Sequence, residues 1–563
     1  MTNQEIADIL SLTASLMELH DENSFKIRSI QNAGFQIEKI ETPLTRFAQA
    51  DLEKQEGVGK SIAAKIIELN TTGKLAELEA LLQKTPAGII ELLEIKGIGP
   101  KKVKTLWKEL EITSKEELLE ACQNGTVAQL KGFGDKTQEN IIQVLEFVMK
   151  QSNKFLYGDV EATAFELEAK LKADVHPSMQ LCGNMRRMME TVDGFSFLVA
   201  STHATTVFST LNTLPYLTEN SAQSGLYKWS GILAEKNIPI EIYITSEAKF
   251  GSELFKHSSG IGHLRLKTPA RHSFLQVATT NSFATEEVLY QSLNLPYITS
   301  ELREGYRELK LVEENRLQDL ITDADIQGSF HNHSTYSDGQ HSVEDMAKAC
   351  IALGYSYFGI SDHSKSAFYA SGLPEDRVVK QQLEIDALNA SLTGLKIFKG
   401  IESDILNDGS LDYSDDVLKT FDFIVASVHS NLKMNEEKAT QRLITAIENP
   451  YTTMLGHPTG RLLLKREGYS IDHKKIIDAC AANNVIIEIN AHPWRLDMDW
   501  RHIGYALDKG CIISINPDAH EKNGLNDVHF GICVARKAGL CKEQTFNAWP
   551  LDKVTAWLKN KGK

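Results

Sequence analysis

The stretch SFHNHSTYSDG, residues 329–339, contains two histidines that flank an asparagine, and an aspartate in the polar turn that follows. On an extended chain His331 and His333 point to the same face, because side chains alternate along a strand. Imidazole nitrogens and carboxylate oxygens are ordinary ligands of transition metals in proteins. The stretch therefore predicts that His331, His333 and Asp338 contribute to a metal site where a strand ends.

Six further apolar segments follow this stretch, and helical patterns separate them. The candidate strands are YFGISD (357–362), KIFKGIESDI (396–405), FDFIVASV (421–428), TTMLGHP (452–458), NVIIEINA (484–491) and CIISINPDA (511–519). Strands that alternate with helices are typical of a parallel sheet or a barrel, whose chemistry lies at the carboxyl ends of the strands. Histidines and acidic residues lie at the ends of most of these segments, where such chemistry is expected.

The predicted ligand set is too large for a single ion. Its members are His331, His333, Asp338, His363, Glu402, His429, His457, Asp518 and His520. We expect two or three divalent ions with Glu402 or Asp518 bridging, and the donors suit manganese or zinc, with magnesium and iron as alternatives. Ions clustered in this way activate water for attack at phosphorus. The expected catalytic residues are His331, His333, Glu402, His429, Asp518 and Arg495, the last as a phosphate ligand together with Arg461.

Short motifs in this region resemble those of the polymerase-and-histidinol-phosphatase (PHP) phosphoesterases. In chain order they are HNHSTYSDG, ISDHS, KGIESDI, ASVHS, GHPTGR and NPDAH, and the resemblance covers residues 328–563. It implies a distorted (β/α)7 barrel that holds three ions on the nine residues named above. Ser329 departs from the pattern, because many relatives have an acidic residue there. It is not a ligand, so we expect the site to be retained.

Residues 1–150 have the apolar spacing of α-helices, and a glycine-apolar-glycine turn occurs there three times. The turns resemble helix-hairpin-helix motifs, in which peptide N–H groups at a helix N-terminus bind a DNA phosphate without reading bases. Asp135, beside the third turn, would repel a phosphate. The expected DNA-binding residues are Gly57, Gly59, Lys60, Gly97, Gly99, Lys101, Gly132 and Gly134.

The segment GVGKSIAAKIIELNTTGKL, residues 57–75, resembles the lyase domain of the family X DNA polymerases. The lysine that forms the Schiff base in that family falls on Lys65. An amine freed of its proton attacks the aldehyde of an abasic site. A solvated lysine that contacts phosphate is the simpler alternative for this position.

The segment GNMRRMMETVDGFSFLV, residues 183–199, resembles the palm motif of the same family. The two aspartates of the motif fall on Gly194 and Ser196, and its third carboxylate falls on Glu241. Nucleotidyl transfer requires two cations that clamp the attacking and departing oxygens. Because two of three carboxylates are missing, we expect polymerase activity to be absent or very weak, unless Asp193 substitutes for them.

Composition is that of a folded protein of several domains, with 563 residues, 42% of them hydrophobic and 24% charged. The net charge of −15 excludes a uniformly basic nucleic-acid binder and leaves room for a local DNA-binding face. The cysteines are scattered, and neither a leader peptide nor an apolar membrane span is visible. These features predict a cytoplasmic protein, and we expect a monomer.

The expected organisation is a multidomain chain with an α-helical N-terminus, an α+β palm and thumb, and a C-terminal barrel. The expected divisions are a lyase-like helical domain (1–82), a helix-hairpin-helix domain (83–150), the degenerate palm and thumb (151–305), a linker (306–327) and the PHP domain (328–563).

Together the resemblances imply a bacterial family X DNA polymerase with an appended PHP domain. The leading hypothesis is a metal-dependent phosphoesterase and 3′–5′ exonuclease that acts in DNA repair on gapped, nicked or 3′-ended DNA or on abasic sites. One alternative is an active gap-filling polymerase that uses Asp193 and Glu241. The others are a DNA-binding scaffold without catalysis and a small-molecule phosphatase of the histidinol-phosphate type.

Overall fold

The computed structural model describes residues 1, 3–37, 40, 42–44, 47–55, 57–93, 95, 98–268 and 271–561. Contacts between residues divide the chain into two compact units, Met1–Ser152 and Asn153–Lys563. The finer divisions of the chain remain predictions. Among the described helices, none is both long enough and apolar enough to cross a membrane.

The first unit is helical, as its apolar spacing predicts. Its helices are α1 (Asn3–Leu19), α2 (Ser24–Ile37), α3 (Gln49–Leu52), α4 (Lys60–Thr72), α5 (Ala76–Lys84), α6 (Ala87–Leu93), α7 (Pro100–Leu110), α8 (Lys115–Gln123) and α9 (Asp135–Gln151). Leucine and isoleucine side chains from these helices share one buried core. Gly59, Gly99 and Gly134, the second glycines of the three predicted turns, directly precede α4, α7 and α9.

The first part of the second unit, residues 153–305, is an α+β fold, which confirms the predicted class. Its strands are β1 (Phe155–Leu156), β2 (Gln180–Cys182), β3 (Thr191–Val192), β4 (Phe195–Ala200), β5 (Leu217–Glu219), β6 (Lys228–Leu233) and β7 (Ile238–Thr245). Five strands form a mixed sheet in the order β2-β4-β7-β6-β5, in which β4 and β7 are parallel. The helices are α10 (Tyr157–Asp174), α11 (Gly183–Arg186), α12 (Ala204–Leu211), α13 (Phe250–His257), α14 (Ile261–Arg265), α15 (Phe274–Thr280) and α16 (Glu286–Ser292).

The remaining residues form the predicted barrel. Its strands are β8 (Gly328–Ser329), β9 (Tyr357–Ile360), β10 (Lys396–Asp404), β11 (Phe423–Ser427), β12 (Met454–Leu455), β13 (Ile486–Asn490) and β14 (Ile513–Asn516), all parallel and in sequential order. A parallel bridge between Asn332 and Ala519 joins the first strand to the last and closes the barrel. The helices are α17 (Glu308–Glu313), α18 (Val343–Ala352), α19 (Glu375–Ser391), α20 (Asp415–Leu418), α21 (Glu436–Ile447), α22 (His473–Ala482), α23 (Trp500–Asp508), α24 (Val528–Lys537) and α25 (Leu551–Lys561).

Aromatic side chains fill the barrel at the amino-terminal side of its strands. The ring of Phe330 packs against those of Tyr357, Phe398, Phe423 and Phe546, with ring centroids 5.0 to 5.8 Å apart. This apolar packing occupies one end of the barrel and leaves the carboxyl end of the strands to polar side chains.

Buried ion pairs join the mixed sheet region to the barrel. Glu190 accepts hydrogen bonds from Trp500 Nε1 at 3.1 Å and from Arg501 Nη1 at 2.7 Å. The ammonium of Lys537, which is fully buried on α24, donates to Glu304 at 2.8 Å and to the carbonyl of Arg187 at 2.8 Å. A buried charge is tolerated only when it is paired, so these contacts fix how the two regions pack.

Candidate metal centre

The structure brings all nine predicted ligands together beyond the carboxyl ends of the barrel strands. They form four overlapping groups, and within each group one ligand atom per residue lies within 4.8 Å of the others. The groups are His331–His333–Asp518, His331–Glu402–His457, His363–Glu402–His429 and His333–Asp338–His363–His520.

Glu402 lies at the centre of the cluster and is 1% exposed. Its Oε1 atom is 3.0 Å from Nε2 of His457 and 3.1 Å from Nε2 of His429. The same oxygen is 3.2 Å from Nε2 of His331, and Oε2 is 2.9 Å from Nδ1 of His363. A carboxylate that faces imidazoles from four different segments has the position of a bridging ligand.

Asp518 and Asp338 supply the outer carboxylates of the cluster. Oδ1 of Asp518 lies 3.0 Å from Nε2 of His333 and 3.4 Å from Nε2 of His331. Asp338 lies nearer the surface, with Oδ1 3.4 Å from Nε2 of His520 and Oδ2 3.6 Å from Nε2 of His363. The cluster thus runs from a buried end at His331 to a half-exposed end at Asp338 and His520.

Charge acts differently on the members of the cluster: neighbouring carboxylates overcome burial and raise the pKa values of His331 and His429, whereas Glu402 and His333 take the forms that bind metal. Burial opposes ionisation of Glu402, but the imidazoles of His429 and His331 hold its pKa well below the usual range. Burial and the neighbouring imidazoles of His520 and His363 lower the pKa of His333 to about 3. At neutral pH these two residues therefore present a carboxylate and a neutral imidazole, which are the forms that ligate a cation.

The unpaired polar atoms of the cluster are a second reason to expect divalent ions there. Five of its buried atoms lack a hydrogen bond of suitable angle within the described residues: Nε2 of His331, Nδ1 of His333, Nδ1 of His457, and Nδ1 of His363 and Oε2 of Glu402, which lie 2.9 Å apart. Buried polar atoms in folded proteins are nearly always hydrogen-bonded. Cations coordinated by these side chains would account for several of the unpaired atoms, and the donor set of nitrogen and oxygen suits them.

A supporting set of polar residues orients the ligands, and it was not part of the predicted site. Oε2 of Glu488 lies 2.8 Å from Nδ1 of His331, and its other oxygen accepts from the peptide N–H of His457 at 3.1 Å. Asp404 pairs with Nδ1 of His429 in the same way. Hydrogen bonds of this kind fix the tautomer and direction of a metal-binding imidazole. The signal for Glu488 was a single acid inside the fully buried strand NVIIEINA.

The two predicted phosphate-binding arginines differ in what they contact. The guanidinium of Arg461 donates hydrogen bonds to Asp499 and to the carbonyl oxygens of Arg495 and Leu496. These contacts indicate a structural role for Arg461. Arg495 instead reaches the cluster, where its Nε lies 3.6 Å from Oδ2 of Asp518.

Exposed aromatic side chains lie beside residues of the cluster, in space or along the chain. Phe368 is 86% exposed and Tyr369 62% exposed, and the Tyr369 ring lies 6.4 Å from the ring of His363. On the side of Arg495, the adjacent Trp494 is 40% exposed. We call Phe368, Tyr369 and Trp494 the aromatic rim. Exposed aromatics beside a polar site offer flat apolar surfaces to an incoming ligand.

The polymerase-like positions have a different geometry. Ser196 pairs in register with Glu241 across β4 and β7, and Glu241 accepts hydrogen bonds from Lys228 at 3.0 Å and from Tyr243 at 2.6 Å. Asp193 lies exposed in the bend before β4, and not on a strand as its position next to the motif suggested. Within the described residues, none of these positions belongs to a group of three potential metal ligands.

The backbone at Gly194 excludes an aspartate. Its φ is +150°, and a Cβ atom placed there would lie 2.4 Å from the carbonyl oxygen of Pro239. A side chain at this position would clash with backbone that cannot move independently of β7. The backbone conformation and the close approach of β7 therefore both favour glycine at this position.

The three helix hairpins share one arrangement at their second glycine. Gly59, Gly99 and Gly134 are the N-cap residues of α4, α7 and α9, and no side chain caps those helices. A Cβ atom built on any of them meets no atom of the described residues within 4 Å. Packing within the described residues therefore does not require glycine at these positions, whereas close approach of an external group would favour it.

The other predicted DNA-binding residues are described in part. Lys60 and Lys101 are exposed, and Gly57 and Gly132 have φ of +77° and +88°, a conformation that favours glycine. Gly97 lies outside the described residues.

Lys65 is engaged by an acidic partner in the helical unit. Its side chain is 13% exposed and forms an ion pair with Glu77, whose other oxygen pairs with Lys26. The structure thus places an acidic partner beside Lys65, and the lyase role of this residue stays a prediction.

Comparison with known proteins identifies related sequences along most of the chain. Residues 1–75 match the helix-hairpin-helix domain family, residues 89–146 the SAM-like helix-hairpin-helix tandem family, and residues 329–492 the PHP domain family. The DNA polymerase/3′-5′ exonuclease PolX of Bacillus subtilis is 35% identical over 99% of this chain and 100% of its own length.

Two further relatives align with shorter parts of this chain. A "probable phosphatase" of Acetivibrio thermocellus is 30% identical over 29% of this chain and 64% of its own length. Another, from Thermoanaerobacter, is 24% identical over 39% of this chain and 95% of its own length.

We predict that Glu488→Gln lowers metal affinity by about 10- to 100-fold although every predicted ligand remains. The amide cannot hold His331 in the orientation that the carboxylate imposes. Metal content after dialysis against graded chelator measures the effect, with Glu437→Gln, an exposed residue of α21, as control. Equal metal content in Glu488→Gln and Glu437→Gln would contradict the assigned role.

Proposed function

The chain belongs to the family X DNA polymerases that carry a C-terminal PHP domain, and we propose that it is a metal-dependent 3′–5′ exonuclease of DNA repair. In this proposal the PHP barrel is the catalytic domain and the palm has no polymerase activity. The observation that carries it is the convergence of nine ligands around Glu402. Bound divalent ions would supply an activated water and charge stabilisation at phosphorus.

The residues around the ions have distinct roles in this proposal. The nine ligands hold the ions, Glu488 and Asp404 orient His331 and His429, and the Arg495 guanidinium binds a non-bridging phosphate oxygen. Hydrolysis of the terminal phosphodiester transfers a water oxygen to phosphorus and breaks the bond to the 3′ oxygen of the preceding nucleotide. That oxygen takes up a proton, and the terminal nucleotide leaves as a 5′-monophosphate.

DNA as the substrate is supported by the helical unit and by the aromatic rim. The second glycine of each hairpin leaves free peptide N–H groups in open space at a helix N-terminus, where a phosphate can bind. The aromatic rim lies beside residues of the cluster, where unpaired terminal bases can stack. A small phosphorylated metabolite would need neither feature.

Loss of polymerase activity is supported by the geometry of the palm. Glu241 is paired with Lys228, Ser196 offers no charge, and Gly194 lies in backbone that excludes a side chain. Two cations cannot be clamped at this position without the missing carboxylates. The Bacillus subtilis relative is named for both activities, and we propose that this chain retains the exonuclease alone.

A 3′-phosphatase is the second candidate, and the barrel-only relatives named as phosphatases favour it. Attack of water on a terminal phosphomonoester uses the same ions and the same arginine. A substrate ending in a 3′-phosphate distinguishes the two activities, because a phosphatase removes only the phosphate and leaves the length of the strand unchanged.

We predict that the protein shortens the recessed 3′ end of a 5′-labelled primer–template with Mn²⁺, whether or not nucleotides are present. His333→Ala and His429→Ala should each reduce the rate by more than about a hundredfold, since metal ions supply several kcal/mol of stabilisation. Denaturing gels measure the primer length, and EDTA serves as control. Full activity in either variant would refute the barrel as the active site.

We predict that Phe368→Ala and Tyr369→Ala each raise KM for single-stranded 3′ ends about tenfold, because one stacked base contributes about 1–3 kcal/mol. Both variants should keep the wild-type rate on a small phosphomonoester that lacks a base. Phe165→Ala, an exposed phenylalanine of α10, is the matched control. Equal loss on both substrates would show a general defect and not a base-stacking role.

We predict that Ser196→Asp does not restore primer extension, and that Gly194→Asp with Ser196→Asp loses about 1–3 kcal/mol of stability from backbone strain. Primer-extension assays with Mg²⁺ and Mn²⁺, together with urea unfolding, test both statements. Extension by the wild type or by either variant would show that the palm keeps a functional metal site.

A further inference from the structure

A second group of metal-binding side chains lies between palm helix α10 and barrel helix α24, away from the nine ligands. Glu161 is on α10, and His529 and Cys533 are one turn apart on the same face of α24. Nε2 of His529 is 3.1 Å from Oε1 of Glu161 and 3.7 Å from Sγ of Cys533. One ligand atom from each of the three lies within 4.8 Å of the others.

Neighbouring groups orient these side chains toward a common point. Oδ1 of Asp323 lies 2.9 Å from Nδ1 of His529, which directs the Nε2 lone pair of a neutral imidazole toward Glu161 and Cys533. The Tyr157 hydroxyl donates to Oε1 of Glu161 at 2.6 Å and holds that carboxylate in place. The side chain of His529 is 37% exposed, so an ion can enter from solvent.

We propose that Glu161, His529 and Cys533 form a zinc site that fastens the palm to the barrel. Thiolate, imidazole and carboxylate are the three ligand types that zinc takes in proteins, and water can complete the tetrahedron. Binding forms Zn–S, Zn–N and Zn–O bonds and releases two protons to solvent, one from the thiol and one from Nε2 of the imidazolium. No electron transfer occurs.

The competing account is a metal-free ion pair. In that form the imidazole carries a proton on each nitrogen and bridges Asp323 and Glu161, and its hydrogen bonds to Asp323, Cys533 and Glu161 raise the pKa of His529. The thiol of Cys533 then packs in the buried core of the palm and contacts His529 without binding a metal. The two accounts differ in whether a metal–sulfur bond forms, and that bond can be observed directly.

Cobalt spectroscopy on the full-length protein tests the proposal. Among the described residues, this is the one potential ligand group that includes a cysteine, and the barrel cluster holds only nitrogen and oxygen donors. After removal of metal by chelation and titration with Co²⁺, we expect a near-ultraviolet thiolate-to-cobalt charge-transfer band. It should vanish in Cys533→Ala, weaken in His529→Gln and persist in Cys350→Ala, which removes a buried thiol of α18.

Zinc content gives a second and independent measurement. Cys533→Ala should bind one zinc fewer per chain than the wild type or Cys350→Ala after reconstitution. Absence of the cobalt band in the wild type, its persistence in Cys533→Ala, or equal zinc content in all three proteins would overturn the site. His457→Ala should lose exonuclease activity and keep the band, so that failure of the barrel proposal is distinguishable from failure of this one.

Discussion

The charge of the Glu402 carboxylate is the constraint on which the carboxyl end of the barrel depends. An unpaired carboxylate at that depth would cost several kcal/mol, and water cannot reach it. Four imidazoles face its two oxygens at 2.9 to 3.2 Å. Burial lowers the pKa values of His331 and His429, but the carboxylates of Glu402, Glu488 and Asp404 raise them above the usual range, so protonated imidazoles compensate the charge of Glu402 in the absence of metal. The strand ends are therefore arranged around positive charge, which protonated imidazoles or bound cations supply.

Charged side chains join the palm region to the barrel. Glu190, a residue of the palm motif, accepts hydrogen bonds from Trp500 and Arg501 of the barrel. Arg187 of the same motif forms an ion pair with Glu304, and Glu304 also accepts a hydrogen bond from Lys537. Loss of these contacts would leave charges buried without partners, so the palm region contributes to packing whatever its catalytic role. At Gly194 the backbone geometry leaves no space for a side chain.

The sequence predicted the fold class and the ligand types because both depend on local patterns. Alternating strands and helices indicate a parallel sheet or a barrel, the resemblance to the PHP phosphoesterases implies the barrel, and ligands placed after parallel strands meet at their carboxyl ends. Glu488, Asp404 and the ion pair of Lys65 with Glu77 could not be predicted in the same way. Each depends on which side chains meet across segments distant in sequence, and no spacing rule encodes that. Of these residues, Glu488 was the easiest to predict, because it is the single acidic residue in a buried apolar strand.

In the proposed mode of DNA binding, the hairpins contact phosphate through peptide groups, and the net charge of −15 is compatible with that mode. A helix N-terminus presents oriented N–H dipoles that attract a phosphate without a formal positive charge. Each such contact depends on close approach, which explains why Gly59, Gly99 and Gly134 lack side chains in space where a Cβ atom would fit. Binding through dipoles displaces fewer counterions than binding through lysine or arginine, since fewer cationic side chains neutralise phosphates. An acidic protein can thus hold the DNA backbone while its barrel concentrates the metal ions that the reaction requires.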